Sequence, residues 1–95
     1  MIFETLEIDG KMFDAYSISL KPAPFLLIRS ADKSFLACGF LDIAAADNLN
    51  ACAAKVKGVK TFDDMLKAEV IAVTKEAEAK GVKVGMTGKE ALLKF

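Results

Sequence analysis

The side chains able to do chemistry in this chain are 13 carboxylates, 12 lysines, one arginine, one tyrosine and two thiols, and there is no histidine. Without histidine the usual base for proton transfer near neutral pH is missing. Ser-His-Asp and Cys-His catalysis and histidine-ligated zinc are therefore excluded within one chain. Of the two thiols, Cys38 has the greater chemical interest. It ends an apolar run four residues before Asp42, an expected helix N-cap. A helix N-terminus lowers a thiol pKa and creates a reactive thiolate. The competing role is core packing, because free cysteine is among the most buried residue types. Cys38 and Asp42 are accordingly the candidate catalytic pair, and Cys52, in an alanine-rich stretch, reads as structural.

A second candidate is Gly85-Met86-Thr87-Gly88-Lys89, which resembles a phosphate loop superficially. Free N–H groups at a helix N-terminus attract anions, and Lys89 adds charge, so Gly85, Thr87, Gly88 and Lys89 are candidate ligand-binding residues. The spacing departs from a P-loop, which needs four residues between its glycines and Ser or Thr after the lysine. Here two residues separate the glycines and Glu90 follows Lys89. Thr87 and Glu90 are equally explained as a capping box. Lys55, Lys57, Lys60 and Lys67 form a basic cluster that suits an anion or an acidic partner, with solvated surface lysines as the ordinary alternative. Asp42, Asp47, Asp63 and Asp64 are better explained by helix caps and helix dipoles than by a metal. No metal site and no cofactor is expected.

The elements that must position these residues divide into two halves. Asp9-Gly10, between Ile2–Ile8 and Lys11–Leu20, is a strong signal for a two-residue type I′ hairpin turn, which needs positive φ twice. That register pairs Leu6 with Phe13 and Phe3 with Tyr16. Pro22 and Pro24 then break the ladder. Two apolar runs, residues 25–28 and 35–40, follow around an Ala31–Ser34 turn. Being apolar at successive positions, they predict strands covered on both faces, one by helices and the other by a partner subunit. The second half reads as helical. Asp42 caps a helix from Ile43 to about Ala54, with a stripe of Ile43, Ala46, Leu49 and Ala53. Lys55–Lys60 is a connection or a short strand. Thr61 opens a helix to about Ala68. Glu69–Lys80 ends at Gly81, with residues 70–73 readable either as the start of that helix or as a strand. Thr87 caps a terminal helix to Phe95.

Ninety-five residues make one domain, residues 1–95, with a β-rich region at 1–40 and a mainly helical region at 41–95. The expected fold class is α+β, a mainly antiparallel N-terminal sheet followed by three to four short helices. Basic and acidic side chains number 13 each, which argues against a general nucleic-acid binder. No uncharged stretch approaches the roughly 20 apolar residues that span a bilayer. No secretory signal is visible, so the chain reads as cytoplasmic with reduced thiols. Hydrophobic residues make up 54% of the chain. A domain this small, with about 5,300 Å² of accessible surface, cannot hide that many. Some of them are expected in a subunit interface.

Residues 27–42, from Leu27-Ile28-Arg29 through Cys38-Gly39-Phe40-Leu41-Asp42, with Gly58-Val59-Lys60-Thr61-Phe62-Asp63-Asp64-Met65-Leu66 and residues 81–92, together resemble the YunC-like family of small bacterial and archaeal proteins, a domain of unknown function. The most specific pieces are Cys38-Gly39 ahead of Leu41-Asp42 and the Gly85–Gly88 turn. The resemblance implies an α+β fold whose N-terminal β region drives assembly into a tetramer. It implies no reaction and no catalytic residue. The expected function is a homo-oligomeric binding or accessory module for a small, anionic ligand. The alternative is a small thiol- or carboxylate-dependent enzyme with its site at Cys38 and Asp42, near a subunit interface.

Overall fold

The computed structural model describes residues 1–95. Six strands form one sheet in chain order: β1 (Ile2–Ile8), β2 (Lys11–Ile18), β3 (Phe25–Arg29), β4 (Phe35–Ala37), β5 (Ala53–Lys55) and β6 (Ala72–Val73). Every neighbouring pair is antiparallel except β4–β5, which is parallel. Four short helices, α1 (Ile43–Asn48), α2 (Phe62–Lys67), α3 (Lys75–Ala79) and α4 (Gly88–Lys94), complete an α+β fold. The parallel pair needs a crossover, and α1 supplies it.

The hairpin forms as its turn chemistry dictates. Asp9 and Gly10 have φ of 51° and 83°, and Leu6 faces Phe13 while Phe3 faces Tyr16. Directly opposed residues share a face of a sheet, so the register sorts the side chains. The inner face carries Phe13, Ala15, Leu26, Ile28, Leu36 and Ala54, all buried. Met65 of α2 and Ala91 and Leu92 of α4 join them in one core. The outer face of β1–β3 carries Phe3, Met12, Tyr16, Ile18, Phe25 and Leu27. Phe3 and Met12 remain 52% and 54% exposed, and Tyr16, Phe25 and Leu27 are half-buried. Arg29, ion-paired with Asp14 at 2.9 Å, lies over the Tyr16 ring on this face.

The structure corrects one helix and decides an alternative left open at a second. The one expected from Ile43 to Ala54 ends at Asn48, with Leu49 as its C-cap. Asn50 then takes a left-handed φ of 61°, and Ala53 and Ala54 form a fully buried strand. Alanine is a strong helix former, but helix propensity is overridden by tertiary pairing, and Ala53 and Ala54 are hydrogen-bonded into the sheet between β4 and β6. Within Glu69–Lys80 the strand reading of residues 70–73 holds at Ala72 and Val73, which pair with β5, and the helix begins at Lys75. Its N-cap is Thr74, whose buried hydroxyl accepts from Ala77 N at 3.3 Å and from Ala53 N at 3.1 Å. One threonine therefore starts α3 and fastens it to β5. Gly81 follows the C-cap Lys80 with φ of 93°, the left-handed position that ends a helix.

Candidate functional site

Chain reversal at the end of β4 builds an apolar cleft. Cys38 is stitched to β3 from both sides: its N–H donates to Leu26 O at 3.1 Å, and Leu26 N–H donates to Cys38 Sγ at 3.3 Å. Leu41 N–H then donates to Cys38 O at 3.2 Å, closing a turn that carries Phe40 outward. Phe40 is 48% exposed and stacks on Phe25, with ring centroids 6.1 Å apart and planes 19° from parallel. On the opposite side, Val56 N–H reaches Ala37 O at 2.9 Å and anchors the loop through Gly58, Val59 and Lys60. Gly58 has φ of 71°, which a side chain resists. Between the turn, the loop and Pro24 lies a cleft of about 290 Å³, in which Lys60 is the one charged lining residue.

Of the residues singled out from sequence, Cys38 lines this cleft, 3% exposed. Asp42 does not. Its carboxylate accepts from Ala44 N at 3.1 Å and Ala45 N at 3.2 Å, as the N-cap of α1. The two residues are thus close along the chain but are not joined as a thiol–carboxylate pair by any hydrogen bond. Asp64, in the first turn of α2, accepts from the backbone N–H of Lys60 at 3.0 Å and lies below its usual pKa chiefly for that reason.

The Gly85–Lys89 turn is built as the capping box predicts. Thr87 Oγ1 accepts from Glu90 N at 3.2 Å, and Thr87 N–H donates to Glu90 Oε1 at 2.9 Å. That backbone donation holds the Glu90 carboxyl below its usual range. Gly85 N–H donates to Val70 O at 2.9 Å and Gly88 N–H to Ala68 O at 2.8 Å. The N–H groups of Gly85, Met86, Thr87 and Gly88 are all engaged by the chain itself. Lys89 is exposed on α4.

A polar cluster lies elsewhere, at Asp32. Its carboxylate accepts from Ser30 Oγ, from Ser34 N at 3.1 Å and from Lys80 Nζ, and Lys80 also donates to Ser34 Oγ at 3.2 Å. Lys80 is the largest influence holding Asp32 far below the usual carboxylate range, and Asp32 in turn raises Lys80. A lysine held charged in this way is a poor proton acceptor for Ser34. The cluster fastens the β3–β4 turn to the end of α3. A second depression, about 340 Å³, lies between this turn and Phe95, and Lys11 bridges it by donating to the Phe95 carbonyl. No three Cys, Asp or Glu side chains converge as metal ligands. No helix is long and apolar enough to cross a membrane.

Sequence reasoning found Cys38 and the lysine cluster containing Lys60, but not the walls of the cleft. Pro24, Phe40 and Gly58 meet only because β3, the β4 turn and the loop after β5 are adjacent in space. No local pattern encodes that meeting.

The sequence pattern of the family described as a domain of unknown function (DUF1805) matches residues 37–95, which include Cys38, Phe40 and Lys60. The chain is 37% identical over 92 residues to the uncharacterized protein YunC of Bacillus subtilis, covering 93% of this chain and 90% of that protein. It also superimposes with a TM-score of 0.92 on the crystal structure of a protein of unknown function from Thermoplasma acidophilum. That match is 32% identical and covers 98% of this chain and 90% of the other. Matched over residues 37–95 by the family's sequence pattern and over nearly its whole length by these two proteins, the chain belongs to the YunC-like DUF1805 family.

Proposed function

We propose that this protein is a non-catalytic binding or accessory module of the cytoplasm, working as a homo-oligomer, that holds a small anionic ligand in the cleft between Phe40 and Lys60. The observation that carries this reading is the composition of the cleft. Its walls are apolar at Pro24, Cys38, Phe40 and Val59, and its lining holds a single cation, Lys60. Small-molecule sites are characteristically apolar pockets with a few placed polar groups. The anion-binding role considered for Gly85, Thr87, Gly88 and Lys89 passes to this cleft, because the backbone N–H groups of Gly85, Met86, Thr87 and Gly88 are already engaged.

The oligomer rests on the outer sheet face. Phe3, Met12 and Ile18 are exposed there beside Tyr16, Phe25 and Leu27, an apolar surface that a soluble monomer rarely presents to water. Subunits pairing through this face into a tetramer would bury it. The competing reading, a small thiol- or carboxylate-dependent enzyme, is favoured by one observation, that Cys38 lines the cleft. It is weakened by Asp42, whose carboxylate caps α1.

Native mass spectrometry of gently purified protein tests both parts. Four subunits carrying a common extra mass, lost in Lys60→Glu, are the expected result. A bare monomer overturns the assembly. An extra mass that persists in Lys60→Glu places the ligand elsewhere.

A further inference from the structure

Resting on that cleft, we infer that its ligand is a monovalent carboxylate with a compact apolar body, and not a phosphate or phosphate ester. Three features of the site select this class. The first is size: about 290 Å³ lies at the low end of the range for ligand pockets, enough for one small ring or branched chain. The second is the count of positive groups. A phosphate dianion is ordinarily held by several donors, such as arginine forks or free backbone N–H groups. This cleft offers one lysine, and that lysine's own backbone N–H is given to Asp64 at 3.0 Å.

The third feature is the charge next to Lys60. Asp63 and Asp64 lie in the first turn of α2, after its N-cap Thr61 and first residue Phe62, and Asp63 pairs with Lys67 at 2.9 Å. Two carboxylates in that first turn take up the positive end of the helix and repel a second negative charge more than they repel a single one. A single carboxylate can meet Lys60 from the cleft side while its apolar body lies against Phe40, Pro24 and Val59. Phe40, half-exposed and stacked on Phe25, is the wall with most surface left to cover.

The test is a titration of isotope-labelled protein with four probes, followed by backbone amide NMR: cyclohexanecarboxylate, benzoate, the neutral isostere cyclohexylmethanol, and inorganic phosphate. The expected result is that both carboxylates shift Gly39, Phe40, Val59 and Lys60. They should bind about tenfold more tightly than the alcohol, the factor that one charge-assisted hydrogen bond supplies. Phosphate should leave these amides unmoved at the same concentration. Lys60→Met should remove the tenfold advantage and leave alcohol binding unchanged, while Phe40→Ala should weaken carboxylates and alcohol alike. Equal binding of the alcohol, or phosphate acting on the same amides, overturns the carboxylate assignment and leaves the cleft as a site. Shifts that cluster away from the cleft, or none with any probe, overturn the cleft as a binding site and the assignment with it.

Discussion

Gly88, the first residue of α4, lies so close to Met65 of α2 that a Cβ there would stand 1.9 Å from the Met65 carbonyl oxygen and 2.9 Å from Leu36 Cδ2. Backbone cannot yield as a side chain can, so the two helices are in contact because position 88 has no side chain. Met65 and Leu36 are both fully buried at this point. Gly88→Ala is expected to cost about 3 kcal/mol or more, the upper end of overpacking effects. Gly85→Ala meets no neighbour and suffers only from its φ of 99°, for about 1–2 kcal/mol. Urea unfolding of both variants checks the order, and a Gly88→Ala variant as stable as the wild type would contradict the close packing.

Asp32→Asn is expected to lower stability by about 1 kcal/mol near neutral pH, a modest figure because Asp32 and Lys80 are both substantially exposed and solvent screens them. The sign follows from a carboxylate held below its ordinary value. Its contribution is complete above the unfolded pKa of about 3.9 and is lost as the pH falls toward the folded value. Denaturation curves for the two proteins should therefore run parallel from about pH 5 to 8 and converge below about pH 4. A constant gap down to pH 2 would show that the charge of Asp32 is not the cause.

Phe3→Glu and Met12→Glu place a charge on the outer face at positions half-exposed in the single chain, so the fold should survive them. Sedimentation is expected to show each variant shifted toward monomer, because desolvating an unpaired carboxylate in an interface costs several kcal/mol. Unchanged mass in both would move the interface away from this face. Phe25→Asp and Phe35→Asp extend the same test to β3 and β4, with circular dichroism as the control for folding.

Cys38 should react with a thiol reagent at least tenfold more slowly in the native protein than in urea, the equivalent of an opening cost of about 1.4 kcal/mol. A native rate above that of a free thiol would instead support the thiol-enzyme reading.

What the sequence made legible was local. The Asp9-Gly10 turn specifies its own register, and Thr87 with Glu90 specifies its own cap, because each involves groups at most a few residues apart. The stretch 43–54 misled for the opposite reason. Its alanines suit a helix by propensity, but Ala53 and Ala54 are claimed by pairing with Phe35 and Leu36, across a loop whose closure no local pattern announces. The cleft was half visible: Cys38 and Lys60 stood out by residue type, while Pro24 and Phe40 became site residues only through the adjacency of β3 and β4.

The order of the strands bears on how the chain acquires its structure. The β1–β4 meander is made of neighbours in sequence and has a low contact order, so its pairing can begin early in synthesis. The apolar side of that meander stays bare until Met65, Ala91 and Leu92 arrive, the last of them some 55 residues after β4. While the rest of the chain is still being made, both faces of this meander are therefore open at the ribosome, the inner awaiting α2 and α4. Such an intermediate is prone to edge-to-edge association. Slowing translation between residues 40 and 90 should raise the insoluble fraction, and chaperone dependence during synthesis should exceed what the stability of the finished protein suggests.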